Sequence, residues 1–214
     1  MEKHQLSKST FIRGVQCLKA LYLYKNRYFL RDKLSPEQMA KFKRGTDVGI
    51  FAQNLFPGGI DCKPKSPSQY RKSVEKTATV ISEGSHDVIY EAAFQHDRVL
   101  ILLDILATQN GKWNAYEIKS SLKISETYLL DAALQYYVLT NSGIELDRFF
   151  LVHINPDYVL NGELNLRELF VFSDVTDEAL SRWDFVKEQI AKSKETIALK
   201  KSPAIDIGPH CHDP

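Results

Sequence analysis

The sequence predicts an α/β (α+β) chain in which a helical N-terminal region precedes a body of strands and helices. Three observations carry that reading. The apolar pattern changes period near residue 84, from helical spacing to three runs rich in Val, Ile, Leu, Phe, Tyr and Ala. Within the second run, Val99-Leu100-Ile101-Leu102-Leu103 is apolar at every position, the mark of a central strand covered on both faces. Between the second and third runs lies Asn110-Gly111, which favours a two-residue type I′ hairpin turn because both residues tolerate positive φ.

The first helix is expected from Ser9 as N-cap through Phe11, Val15, Leu18 and Tyr22. Ser35-Pro36-Glu37-Gln38 starts the second, with Ser35 as N-cap, Pro36 at the first helical position and Gln38 closing a capping box. Pro57-Gly58-Gly59 ends it at Phe56. After a Pro/Lys/Ser loop at 63–68, a third helix spans 69–83 and stops at Gly84. Strands are expected at 87–95, 98–109 and 112–120, a helix at 125–141 stopped by Gly143, and strands at 148–155 and 166–172. A long helix at 176–199 precedes an irregular tail, 201–214. The expected organisation is thus a basic helical region at 1–84 packed on a core at 85–200, followed by the tail.

The net charge of +1 conceals a division. Residues 1–76 hold 16 Lys/Arg against 6 Asp/Glu, and residues 77–214 hold 12 against 21. This is either a basic surface for an anionic partner beside an acidic body able to hold cations, or two oppositely charged regions packed on each other. No apolar run approaches the roughly 20 residues of a membrane-spanning helix. The N-terminus lacks the apolar stretch of a secretion signal, and three scattered cysteines cannot make a disulfide scaffold. A reducing, cytoplasmic setting is the expectation. No P-loop, dinucleotide fingerprint or nucleophile elbow is present.

The turn at Asn110-Gly111 sets a register in which Gln109 faces Lys112 and the numbers of opposed residues sum to 221. Asp104 and Glu117 then stand opposite each other on a non-hydrogen-bonded rung, their Cβ atoms about 4.5–5.5 Å apart. Lys119 emerges on the same face because side chains alternate with period two. If His96-Asp97 is also a two-residue turn, pairs across it sum to 193 and Glu91 faces Leu102, diagonal to Asp104. Three acids and a lysine converge on an otherwise apolar sheet. Two compensations are open: the lysine and a proton neutralise the acids, or an oxygen-liganded Mg²⁺ or Mn²⁺ does. In the second case Asp104, Glu117 and Glu91 are the metal ligands and Lys119 is the catalytic cation that orients a water or stabilises a phosphoryl transition state.

An acid in one strand, Asp104 in the next, Glu117-Ile118-Lys119 in the third and a helix carrying Gln135 resemble the PD-(D/E)XK nuclease superfamily, in particular its RecB-like branch with the CRISPR-associated exonucleases. The resemblance extends to the Leu6-Ser7-Lys8-Ser9 opening and to the segment from Gly45 to Gly59. It implies a restriction-endonuclease-like fold, a mixed central β-sheet flanked by helices, and metal-dependent hydrolysis of DNA phosphodiesters, with RNA as the other polymer of that chemistry. It further implies a metal site completed by the Ile118 carbonyl, and a Gln135 that contacts the substrate phosphate or braces the site. The branch often carries a [4Fe–4S] cluster held by one N-terminal and three C-terminal cysteines; Cys17 and Cys211 resemble the first two, so a cluster requires further cysteines beyond Pro214. Zinc held by Cys17, Cys211 and His210 or His212, and free thiols, are the alternatives, with Cys62 a possible substitute ligand. Two departures stand out. Gly49 occupies the position of a metal-ligating histidine, and Gln135 is followed by Tyr136 and Tyr137, with Leu139 where the branch has its tyrosine.

Arg13, Lys19, Lys25, Lys41, Lys43 and Arg44, interleaved with Phe11, Tyr22, Tyr24 and Phe42, are either a nucleic-acid surface or solvated helix faces over an aromatic core. His153 reads as a satisfied core residue. The sequence therefore leads with a nuclease acting on DNA through Asp104, Glu117 and Lys119, with Tyr136, Gln135, Lys43 and Arg44 toward substrate. A nucleic-acid-binding module without catalysis, or a partner-binding domain of a larger protein, is the alternative.

Overall fold

A computed structural model describes residues 2–206 and 208–211. Its centre is an open sheet in the order β2-β3-β4-β5-β6-β7, with β1 added beside β4. The strands are β1 (Leu6–Ser7), β2 (Ile60–Asp61), β3 (Val88–His96), β4 (Val99–Gln109), β5 (Lys112–Lys119), β6 (Leu146–Ile154) and β7 (Phe170–Asp174). The pairs β3–β4, β4–β5 and β6–β7 are antiparallel, whereas β5–β6, β2–β3 and β1–β4 are parallel, so the sheet is mixed as the resemblance implies. The basic N-terminal region is woven into this sheet by its two short strands, β1 and β2.

Helices cover both faces. On one side α1 (Lys8–Gln16), α4 (Tyr70–Glu83), α5 (Glu126–Asn141) and α8 (Trp183–Ala198) enclose the larger apolar core, including Phe11, Val80, Leu134, Phe149 and Val186. On the other, α3 (Pro36–Gln53) closes a smaller core through Ala52, over Ile105, Tyr116, Val152 and Phe170. Burial on both faces explains the unbroken apolar run of β4: Val99, Ile101 and Leu103 are completely buried on one face, and Leu100 on the other is only 2% exposed. The capping box of Ser35 and Gln38 forms, and Gly84 closes α4 in the left-handed conformation.

Some boundaries differ from expectation for local reasons. The first helix is capped by Ser7 and breaks at Cys17, whose extended backbone ends α1 and whose sulfur accepts the Ala20 N–H to begin α2 (Leu18–Asn26). The run at 166–172 begins as a helical turn, α6 (Leu166–Leu169), because Asn165 caps it through the Arg167 N–H. The final helix is divided at Arg182 into α7 (Thr176–Ser181) and α8, and the guanidinium is held there by Glu126.

The hairpin register at Asn110-Gly111 is the expected one: opposed residues run from Gln109↔Lys112 to Ile105↔Tyr116, all summing to 221. The neighbouring register is corrected. Its turn residues are Asp97 and Arg98, both at positive φ, so β3 and β4 pair with a sum of 195 rather than 193. A shift of two preserves the face, and it moves Glu91 from beside Leu102 to the position opposite Asp104.

That rung is irregular in both strands. Ile101 and Leu103 join the α5-side core whereas Ile105 and Ala107 join the α3-side core, so alternation reverses at Asp104. In β3, Ile89, Ala92 and Phe94 share the α5 side and Tyr90 the other, so it reverses at Glu91, whose φ is +51°. A charged residue held in the left-handed region mid-strand is a local strain that the surrounding pairs maintain.

Candidate active site

The paired reversals lie on the floor of a cleft of about 580 Å³ between the sheet and α3. Glu91, Asp104, Glu117, Ile118 and Lys119 line it, with Lys63 following β2 and Tyr128 from α5. The wall is α3, through the row Lys41, Gly45, Gly49, Gln53 and the adjacent row Phe42, Thr46, Ile50. These i, i+4 rows follow from helical spacing.

Asp104 and Glu117 are brought to one site, beyond the last regular rung of their ladder. There Asp104 Oδ2 accepts the Ile118 N–H at 2.7 Å. Glu117 is only 3% exposed. Its Oε1 accepts from Lys119 at 2.8 Å and from Lys8 at 2.9 Å, and its Oε2 accepts from Lys8 at 3.0 Å. Lys119 also donates to Asp131 Oδ2 at 2.6 Å and lies 5.1 Å from the centre of the Tyr128 ring. Glu91 is held by Lys63 at 2.9 Å.

The two central carboxyls titrate in opposite directions. Burial, reinforced by the charge of Glu117, pushes Asp104 up to about 7. Burial also acts to raise Glu117, but Lys119 and Lys8 outweigh it and bring that group down to about 2. Desolvation alone would lower Lys119; Asp131 and Glu117 overcome it and hold the ammonium above the ordinary lysine range. Lys119 is therefore a permanent cation at neutral pH and cannot serve as a general base.

The donor set fits a hard divalent cation. Around Glu117 the carboxylates of Asp104, Glu117 and Asp131 face the ammonium groups of Lys8 and Lys119, leaving one negative charge in excess that a proton on Asp104 or a cation can neutralise. Asp104 Oδ1 has no hydrogen-bond partner among the described residues, and Glu117 Oε2 keeps a lone pair beyond its single bond to Lys8. All the candidate ligands are oxygens, as magnesium and manganese require.

The expected substrate residues divide. Lys41 and Phe42 line the cleft, whereas Lys43 and Arg44, exposed on the same helix, do not, because they lie one to two residues around it. Gln135 is completely buried on α5, away from the cleft surface, and both its side-chain polar atoms lack hydrogen-bond partners among the described residues. Tyr136 is likewise a core residue, 8% exposed and edge-on to Trp183. Of the interleaved aromatics, Phe11 and Tyr22 are core, and Tyr24 is covered by Arg31. Lys8, Asp131, Lys63 and Tyr128 were not assigned from sequence. Asp131 carries a signal, since it precedes Gln135 by one helical turn; Lys8 lies in the opening segment of the resemblance, but its pairing with Glu117 spans 109 residues and leaves no local pattern.

The cysteine pair is brought together as well. Cys17 and Cys211 place their sulfurs 3.5 Å apart, and with His210 they form a group whose ligand atoms lie within 4.8 Å of one another. Two thiols and an imidazole supply three of the four ligands of a zinc site. Cys62 is not a substitute: it follows β2, where its N–H bonds to the Tyr90 carbonyl. His212 lies outside the described residues. His153 is mostly buried, with the Ile154 carbonyl and Ser173 as neighbours.

The chain matches no protein-family model and no curated protein. Among solved structures it is similar to an alkaline exonuclease from Laribacter hongkongensis, at 12% identity over 90% of this chain and 89% of that one, with a TM-score of 0.48. It is also similar to the protein SSO0001, at 14% identity over 95% and 80% of the two chains, with a TM-score of 0.41. Similarity at this level carries nothing about chemistry, which rests on the cleft itself. No helix among the described residues is long and apolar enough to cross a membrane.

Proposed function

We propose that the protein is a metal-dependent nuclease that hydrolyses DNA phosphodiester bonds in the cleft beneath α3. The supporting observation is the convergence of Asp104, Glu117 and Lys119 on the cleft floor, with Asp104 raised to about 7 by burial and by the charge of Glu117 while Lys119 stays charged. Asp104, Glu117 and the Ile118 carbonyl would hold Mg²⁺ or Mn²⁺, with Glu91 opposite Asp104 as a further ligand. The ion would offset charge on the scissile phosphate and acidify a water.

The residues contribute in distinct ways. Lys8 grips Glu117 through both oxygens and fixes the carboxylate. Asp131 anchors the Lys119 ammonium, whose remaining donor capacity points charge at the developing phosphorane. Lys63 and Lys41, which both line the cleft, attract the flanking phosphates.

The test is cleavage of single- and double-stranded DNA with and without Mg²⁺ or Mn²⁺. Asp104→Ala and Lys119→Ala should each lower the rate by roughly 100-fold or more. Wild-type rates in either variant would refute the assigned roles. A second reading, a nucleic-acid-binding module without catalysis, is favoured by one feature: Gly49 gives the wall no ligand where the resemblance implies a histidine. It predicts salt-dependent DNA binding that Mn²⁺ does not alter, and calorimetric Mn²⁺ binding that is lost in Glu117→Ala would count against it.

A further inference from the structure

The segment 27–47 is exposed at every position except Ser35, an unusual length for a folded chain, and it carries large rings. Tyr28 is 73% exposed, Phe29 69% and Phe42 59%. Monomeric proteins rarely leave so much apolar surface uncovered without a partner for it. Phe42 sits on the α3 wall of the cleft beside Lys41, at the proposed reaction site.

We propose that this strip and the α3 wall form a stacking platform for unpaired bases, so that the cleft receives single-stranded nucleic acid. The inference rests on the phosphodiester reading of the cleft and names the form of polymer it takes. Charge selects this occupant over an apolar protein surface. Residues 27–44 hold six Lys/Arg against two Asp/Glu, an excess of positive charge that matches a polyanionic backbone. The rings select a single strand over a duplex. A duplex presents its phosphates but keeps its bases stacked on one another, leaving the rings nothing to hold.

Between Lys41 and Gln53, the α3 backbone is bare at two positions of the row that faces the cleft, Gly45 and Gly49. A Cβ added at Gly45 or Gly49 would meet nothing within 4 Å, which leaves room for a sugar–phosphate chain beside the base on Phe42.

The experiment is fluorescence anisotropy with a labelled 20-nucleotide oligo(dT), the same length of oligo(U), and a blunt 20-base-pair DNA duplex. Excess EDTA keeps cleavage out of the measurement. Either single strand should bind at least several-fold more tightly than the duplex. Phe42→Ala should weaken that binding roughly 5- to 150-fold, the loss of one base–aromatic stack, while leaving duplex affinity within about twofold. Phe42→Trp should retain it, and Val159→Ala, an exposed apolar residue elsewhere, should change nothing. Equal affinity for single strand and duplex, or an unaltered affinity in Phe42→Ala, would overturn the proposal. Because binding is read without metal, an inactive protein with this Phe42 dependence would sink the nuclease reading alone. An active one without it would sink only the platform.

Discussion

Asp104 and Glu117 share a site yet hold their protons in different pH ranges, because burial and the charge of Glu117 prevail at Asp104, whereas two lysines outweigh burial at Glu117. For Asp104 the folded state keeps a proton that the unfolded chain, near the ordinary aspartate value, has already released. Its contribution to stability is therefore complete below about 4 and lost as pH rises through about 7. Glu117 behaves oppositely, contributing above its ordinary value near 4.5 and losing that contribution as pH falls through about 2. A divalent cation competes with the Asp104 proton, so thermal denaturation should show a larger Mn²⁺-induced rise in Tm at pH 8 than at pH 6; an equal rise at both would contradict Asp104 as a ligand. Asp104→Asn removes the repulsion with Glu117. It should raise metal-free stability at pH 8 by about 1 kcal/mol, or roughly 2–4 °C, and abolish the Mn²⁺ effect.

The two helices bordering the cleft are secured in different ways. α5 buries every residue from Asp131 to Leu139, so packing fixes it and with it the Asp131 carboxylate that anchors Lys119. α3 has one fully buried residue, Ala52, near its C-terminal end, and its N-terminal half depends on the Ser35–Gln38 capping box. Amide hydrogen exchange should accordingly be faster across 36–47 than in α5. Ser35→Ala should accelerate it further at a cost of about 1 kcal/mol. Comparable protection of the two helices would refute this account. At the hairpin, Gly111 has φ +77°, so Gly111→Ala should lower stability by about 1 kcal/mol in urea denaturation although the added methyl meets no neighbour.

At the scale of the molecule, a net charge of +1 gives no overall attraction for a polyanion, so affinity has to come from where the charges are placed. The basic strip at 27–44 and the lysines of the cleft supply that placement. Binding of oligo(dT) should weaken as salt rises, and the double substitution Lys41→Ala, Lys43→Ala should lower the slope of log K against log salt by roughly 0.7 for each phosphate contact removed. An unchanged slope would place the contacts elsewhere.

Patterns local in sequence were sufficient for much of this. The Asn110-Gly111 turn determined the β4–β5 register because only a few residues tolerate its backbone, and the capping box and helix-stopping glycines fixed several element ends. Tertiary structure decided what depends on distant partners. The true turn at Asp97-Arg98, in which Arg98 adopts a positive φ against its ordinary preference, set Glu91 opposite Asp104. The fold also drew Lys8 onto Glu117, Asp131 onto Lys119 and Cys17 onto Cys211, and it buried Gln135 away from the cleft. Backbone preferences act over a few residues and can be read in order along a chain, whereas desolvation and charge pairing act through space and exist only once the helices have closed over the sheet.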